Sequence, residues 1–184
     1  MSSKEKVRKK FILLRKKKYF SSKPNFFKPL IKLINKKKKK KISLYYPSNY
    51  EFDTFELFKM LSLKKSLSTL LPVIYSNGSM KFVKWKLFSP LKVNKYGFLE
   101  PITNTNNKTF IPDMMVVPLV AYDQFRNRLG YGKGYYDRFL GKYLKKNRNI
   151  LTIGLAFSFQ KYKKIPTSKF DVKLDHILTE KGIF

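Results

Sequence analysis

Apolar residues recur along this chain with two periods, and the switches between them mark out its elements. Over 3–19, Val7, Phe11 and Leu14 fall at helical spacing among lysines, which predicts an amphipathic helix. Ser21-Ser22-Lys23-Pro24-Asn25 ends it with turn-forming residues. Phe27, Leu30, Ile31 and Ile34 follow the helical period again, so a second helix is expected from about Phe26 into the lysine run 36–41, those lysines being its solvated end. Residues 42–46 read as a short strand stopped by Pro47. Asp53 or Thr54 can cap a helix through Lys64 or Lys65 that turns Phe55, Leu57, Phe58 and Leu61 inward.

Strands are expected at 67–75 and 80–85, separated by Ser76-Asn77-Gly78-Ser79, while 86–110 reads mostly as loop with a polar Asn/Thr tract. Residues 114–122 form a continuous apolar run, the pattern of a strand buried on both faces. A helix from about 135 to 146 and a second buried strand at 150–157 follow, and a short strand near 176–179 closes the chain. Strands alternating with helices predict an α/β fold: a three-layer α/β/α, Rossmann-like architecture around a mostly parallel sheet. There is no internal repeat and no composition break, so one domain is expected over 1–184.

Composition narrows the chemistry. At 43% hydrophobic and 16% aromatic, the chain has the means to build a core. No window reaches the length of a membrane span, and no small-residue cleavage site follows an apolar run, so a cytoplasmic protein with no membrane contact is expected. With no cysteine and one histidine, His176, thiolate metal sites and multi-histidine sites are excluded, and His176 reads as structural. The net charge of +30 attracts polyanions, but its lysines are dispersed, and Lys, Asn, Phe, Ile and Tyr are together abundant, as A- and T-rich codons produce. Nucleic acid is accordingly expected as a non-specific partner.

Arg128-Leu129-Gly130-Tyr131-Gly132-Lys133-Gly134-Tyr135-Tyr136-Asp137-Arg138 carries the chemistry. Alternating glycines let successive N–H groups close around an anion, and a helix behind the loop adds its positive end. Neither common phosphate motif fits. Gly134 follows Lys133 where a Walker A loop has Ser or Thr, and Tyr135 stands at the third glycine of the dinucleotide fingerprint. A tight structural turn is the alternative.

Val117-Pro118-Leu119-Val120-Ala121-Tyr122-Asp123 and the 127–138 stretch together closely resemble the signature of the 5-formyltetrahydrofolate cyclo-ligase family, also called methenyltetrahydrofolate synthetases. Collinear matches extend the resemblance over nearly the whole chain: Lys4-x-x-x-Arg8, Tyr46-Pro47 with Glu51-Phe52-Asp53-Thr54, Tyr96 to Pro101, Gly154 to Phe157, and Asp171-x-x-x-Asp175. The resemblance implies ATP-dependent ring closure with Mg²⁺. The γ-phosphoryl group passes to the formyl oxygen of 5-formyltetrahydrofolate, N10 attacks the activated carbon, and 5,10-methenyltetrahydrofolate, ADP and phosphate leave. Such chemistry needs positioning and charge neutralisation more than a covalent nucleophile.

Roles follow from the matching positions. Lys4, Arg8, Arg128, Leu129, Gly130, Tyr131, Gly132, Lys133, Gly134, Tyr135 and Tyr136 would hold ATP, with Lys133 and Arg128 catalytic through charge at the transferred group. Tyr46, Glu51, Tyr96 and the stretch Tyr131, Gly132, Lys133, Gly134, Tyr135 would contact the folate, with or without a polyglutamate tail, Glu51 accepting from the pterin amide edge. Asp137 and Asp175 would bind Mg²⁺. The bland alternatives are solvated helix charges for Lys4 and Arg8, core packing for Tyr46, a first-turn helix carboxylate for Asp137 and a loop acid for Asp175. Phe170 stands where the family often has His. A monomer is expected. Two rival functions stay open: a basic nucleic-acid binder on the same fold without turnover, and another ATP-dependent enzyme activating an amide or carboxylate.

Overall fold

The computed structural model of the chain describes residues 3–104, 107–145 and 149–184. Met1, Thr105 and Asn106 of the polar tract, and the expected helix end at Lys146 lie outside them. The first helix forms as α1 (Ser3–Lys18), with Glu5 in its first turn and four basic residues in its last, both matched to the helix dipole. A 3₁₀ turn, Pro24–Phe27, leads into α2 (Lys28–Lys36). The lysine run is not one helical end, as expected, but is divided. The helix stops at Lys36, Lys38 takes a left-handed φ of 50°, and Lys41 opens β1 (Lys41–Ser43). Next comes α3 (Phe55–Ser62), whose first turn is held by Asp53 Oδ1 accepting from Phe55 N at 2.8 Å; Thr54 donates its hydroxyl to Tyr45 O.

Then follow β2 (Ser68–Ile74) and β3 (Met80–Lys84). The 86–110 segment is more ordered than its sequence suggested: β4 (Leu91–Val93) and β5 (Leu99–Pro101) form a hairpin, and β6 (Thr109–Phe110) pairs with β3. The apolar run 114–122, expected as one strand, is two. β7 (Met114–Val117) ends at Pro118, which has no N–H to continue a ladder, and β8 (Ala121–Tyr122) turns back against β9 (Arg128–Leu129) in a separate hairpin. After α4 (Tyr135–Leu144) come β10 (Leu151–Leu155), β11 (His176–Thr179) and β12 (Gly182–Ile183).

Among the described residues, eight strands make one sheet in the order β12-β11-β10-β7-β1-β2-β3-β6. The five from β11 to β2 are parallel; β12 and β3 run against their neighbours. Alternation along the strands feeds two cores. Met114 and Val116 pack with α2 and α3 on one face through Leu30, Ile34, Leu57 and Phe58. Met115 and Val117 pack with Phe139 and Leu140 of α4 on the other. Each such fully buried Leu, Ile, Met or Phe contributes about 1.5–3 kcal/mol, which fixes the register of every strand. Helix α1 docks Val7 and Phe11 on the β8–β9 hairpin.

From β1 the chain moves to β2 on one side; from β7 it moves to β10 and β11 on the other. The direction of winding therefore reverses between β1 and β7, and the crevice beyond the carboxyl ends of those strands is where α/β sheets place ligands. No helix among the described residues is long and apolar enough to cross a membrane.

Candidate active site

A cavity of about 300 Å³ opens at that reversal. Pro118, just past β7, Ile74 at the end of β2, and Tyr45 and Tyr46 beyond β1 line its inner wall. The glycine loop 130–134 forms another wall. Gly132 (φ 98°) and Gly134 (φ 67°) hold backbone angles that side chains with a Cβ resist, and Gly134 is the N-cap of α4. The loop is thus presented at the positive end of α4.

Four cations and four carboxylates line the cavity: Lys4, Arg8, Arg128 and Lys133 against Glu51, Glu100, Asp137 and Asp171. Arg8 reaches in from α1, donating from Nε to Gly130 O at 2.8 Å and lying against Gly132. One turn earlier, Lys4 Nζ pairs with Asp171 Oδ2 at 2.6 Å. Burial pushes the Asp171 carboxyl up, but hydrogen bonds from Lys4 and Ser168 outweigh it and leave Asp171 below the usual range. Arg128 is held by the β8–β9 hairpin, whose turn is tied by buried Asp123 accepting from Phe125 N, Asn127 N, Asn127 Nδ2 and Ile165 N. Its side chain is 5% exposed and its Nη2 pairs with Asp137 Oδ1 at 2.8 Å, while its Nε has no hydrogen-bond partner among the described residues. A buried guanidinium at the wall of a cavity, paired there with a single carboxylate oxygen, has the donor chemistry to meet an anion. Lys133 is exposed and lies over the Tyr96 ring at 5.4 Å.

Glu51 is buried beside Tyr131 and accepts from Ser48 N at 2.8 Å and Ser48 Oγ at 3.3 Å. Burial pushes its carboxyl up; hydrogen bonds from Tyr131 and Ser48 and the charge of Arg15 partly offset this. Tyr131 is pushed well up by burial and by the charge of Glu51, so it keeps its proton beside that carboxylate. Tyr46 packs edge-on against Trp85 while lining the cavity, so its core and site readings coexist. Tyr96 is not among the residues that line the cavity; its ring lies 5.9 Å from that of Tyr135, which does line it. Leu129 and Tyr136 also line the cavity, Tyr136 with its ring under Arg128 at 5.9 Å.

Asp175 is not brought to this cavity. Its Oδ2 accepts from Thr152 N and Thr152 Oγ1, both at 2.8 Å, which ties the approach of β11 to β10. Four residues earlier, Asp171 takes the place at the wall. Sequence reasoning missed two residues that line the cavity, Asp171 and the buried Glu100 that accepts from Ile74 N and Asn94 Nδ2 at 3.1 Å each, and also Arg15, which is buried behind Tyr131. The Asp-x-x-x-Asp spacing pointed only to the neighbourhood of the first. Phe170, beside Asp171, is 72% exposed, and His176 is half-buried on β11.

A magnesium ion needs one or two carboxylates when phosphate oxygens and water complete its shell. No group of three or more His, Cys, Asp or Glu side chains that suits a metal exists among the described residues, but Asp137 fits the smaller requirement. It lines the cavity beside Arg128, and its contacts to Arg128 and to Val172 N both fall on Oδ1.

Comparison with known proteins agrees with this geometry. The sequence profile of the 5-formyltetrahydrofolate cyclo-ligase family matches residues 1–180. The Haemophilus influenzae 5-formyltetrahydrofolate cyclo-ligase is 33% identical over 152 residues, which cover 80% of each chain. The solved Aquifex aeolicus 5,10-methenyltetrahydrofolate synthetase superposes with a TM-score of 0.75 at 30% identity, covering 99% of this chain and 92% of that one. A Mycoplasma pneumoniae 5,10-methenyltetrahydrofolate synthetase does so with 0.71 at 26% identity, covering 96% and 98%.

Proposed function

The chain belongs to the 5-formyltetrahydrofolate cyclo-ligase family, and from that premise we propose how its cavity carries the reaction. The enzyme converts 5-formyltetrahydrofolate to 5,10-methenyltetrahydrofolate with ATP. The N5-formyl group is amide-like and a poor electrophile. Transfer of the γ-phosphoryl group to its oxygen turns that oxygen into a leaving group; N10 attacks the carbon, the C–O bond breaks, and phosphate departs carrying the formyl oxygen.

The observation that carries the assignment of roles is the meeting of α1 and the glycine loop over one cavity. Lys4 and Arg8 from the helix, and Arg128 and Lys133 from the loop, converge there from sequence positions more than 100 residues apart. Arg128 supplies a buried guanidinium whose Nε has no partner among the described residues, and Lys133, on an exposed stem, supplies a point charge to the transferred group. Residues 129–136 supply the backbone wall of the nucleotide site. Tyr46, Glu51, Tyr96 and Tyr131 face the folate, Glu51 accepting from adjacent donors of its amide edge. Asp137 holds Mg²⁺, which neutralises phosphate charge when bound. One domain over 1–184 acts as a cytoplasmic monomer.

An isotope test follows from the atom balance. With ¹⁸O in the formyl group, phosphate released by the enzyme should carry the label, and ADP should not. Unlabelled phosphate would rule out transfer to that oxygen.

A further inference from the structure

Arg15 sits on α1 seven residues beyond Arg8 and is 1% exposed. Its Nη1 donates to Tyr131 Oη at 2.6 Å and reaches Leu119 O at 3.4 Å, and its Nη2 donates to Asn49 O at 2.7 Å. Its Nε is buried without a hydrogen-bond partner among the described residues. Stability alone does not account for such a group, because an apolar side chain of similar volume serves a buried position at least as well as a charge with an unmet donor.

Two of its contacts lead to Glu51. Tyr131, which accepts from Arg15 at 2.6 Å, lies beside the Glu51 carboxylate with its own proton retained. Asn49, which accepts through its carbonyl, begins a pair of left-handed residues, Asn49 (φ 49°) and Tyr50 (φ 59°), immediately before Glu51. Neither is glycine, so this backbone needs an outside hold. Ser48, at the start of the same turn, anchors Glu51 Oε2. Resting on the reading of Glu51 as the folate-binding carboxylate, we infer that Arg15 is a positioning residue for that half of the site. It clamps the 48–51 turn and the Tyr131 phenol together, so that Glu51 meets the substrate as a fixed, ionised acceptor.

The test compares Arg15→Met, Arg15→Lys, Tyr131→Phe and Glu51→Gln in the full-length enzyme. The readouts are kcat, both Michaelis constants, the pH profile of kcat/KM for 5-formyltetrahydrofolate, and melting temperature. Around Glu51 the charged or titratable groups are Arg15, Tyr131, Tyr45 and Tyr136; the tyrosines stay neutral, because burial pushes all three up. Arg15 is therefore the cation that offsets part of the upward push of burial on the carboxyl, after the hydrogen-bonding groups Tyr131 and Ser48. Arg15→Met should raise the folate KM about 10- to 100-fold, the range in which outer supporting groups act, leave the ATP KM within about twofold, and move the acid limb to higher pH. Arg15→Lys, which keeps charge but loses the fork, should fall between. A lower melting temperature and kcat with an unchanged folate KM and acid limb would overturn the inference. Should Arg15→Met fail to fold, a wild-type folate KM and acid limb in both Arg15→Lys and Tyr131→Phe would overturn it equally. If Glu51→Gln itself leaves the folate KM unchanged, the reading of Glu51 fails, which is distinguishable from failure of Arg15 alone.

Discussion

Asp171 and Asp175 are four residues apart and chemically the same, yet their surroundings give them different work. Thr152 presents both its N–H and its hydroxyl to Asp175, and no spacing rule in the sequence reveals that capture; Asp171 is left to meet Lys4 at the cavity. The residues with unusual backbone or charge demands, Arg128, Lys133 and Asp137, were legible from the glycine motif, whereas Arg15 was hidden because it reads as one more cation on a lysine-rich helix. Lys133 is exposed and outside the core, so Lys133→Ala should lower kcat at least about 100-fold with an unchanged melting temperature. Near-normal turnover would remove it from the transferred group. Asp137→Asn should lose activity that excess Mg²⁺ partly restores; the same deficit at every metal concentration would refute its role. For Glu51, burial raises the pKa above the ordinary 4.5. The form needed for binding is the charged one, so kcat/KM for the folate should fall as pH drops through this raised value, and Glu51→Gln should abolish that limb.

At the scale of elements, periodicity located α1 to α4 and the principal strands, because each buries one stripe or two alternating faces against the sheet. It failed where pairing is not announced by hydrophobicity. The strands β4 and β5 are three residues each and bury only Glu100 and Pro101, and β6 is two residues long, so none leaves an alternating apolar signal. The run 114–122 is apolar throughout, but Pro118 forces the chain off the sheet and builds the hairpin that holds Arg128. The glycine loop is the element on which the nucleotide site depends. Gly132→Ala places a Cβ at φ 98° and 3.3 Å from Arg8 Cζ. Backbone strain of about 1–2 kcal/mol is expected, with displacement of Arg8 from Gly130. The checkable outcome is a melting temperature lower by a few degrees and an ATP KM raised more than the folate KM; equal effects on both would place the damage elsewhere.

Over the whole molecule, the net charge of +30 contrasts with a cavity where four cations face four carboxylates. In the proposed site, specificity for a triphosphate would therefore come from placed donors, with the surplus charge over the remaining surface. That surface attracts both anionic substrates at long range, so raising ionic strength from low to moderate should increase both Michaelis constants with little change in kcat. Constants insensitive to salt would leave the charge without a role in capture. The sheet, its reversal between β1 and β7, and the helix and loop that meet there combine into one claim: the cavity closes the folate ring with ATP. Purified protein mixed with Mg·ATP and 5-formyltetrahydrofolate should produce the strongly absorbing methenyl product, with one ADP released per ring closed. Folded protein that yields no methenyl absorbance, or yields it without ATP, would contradict the account.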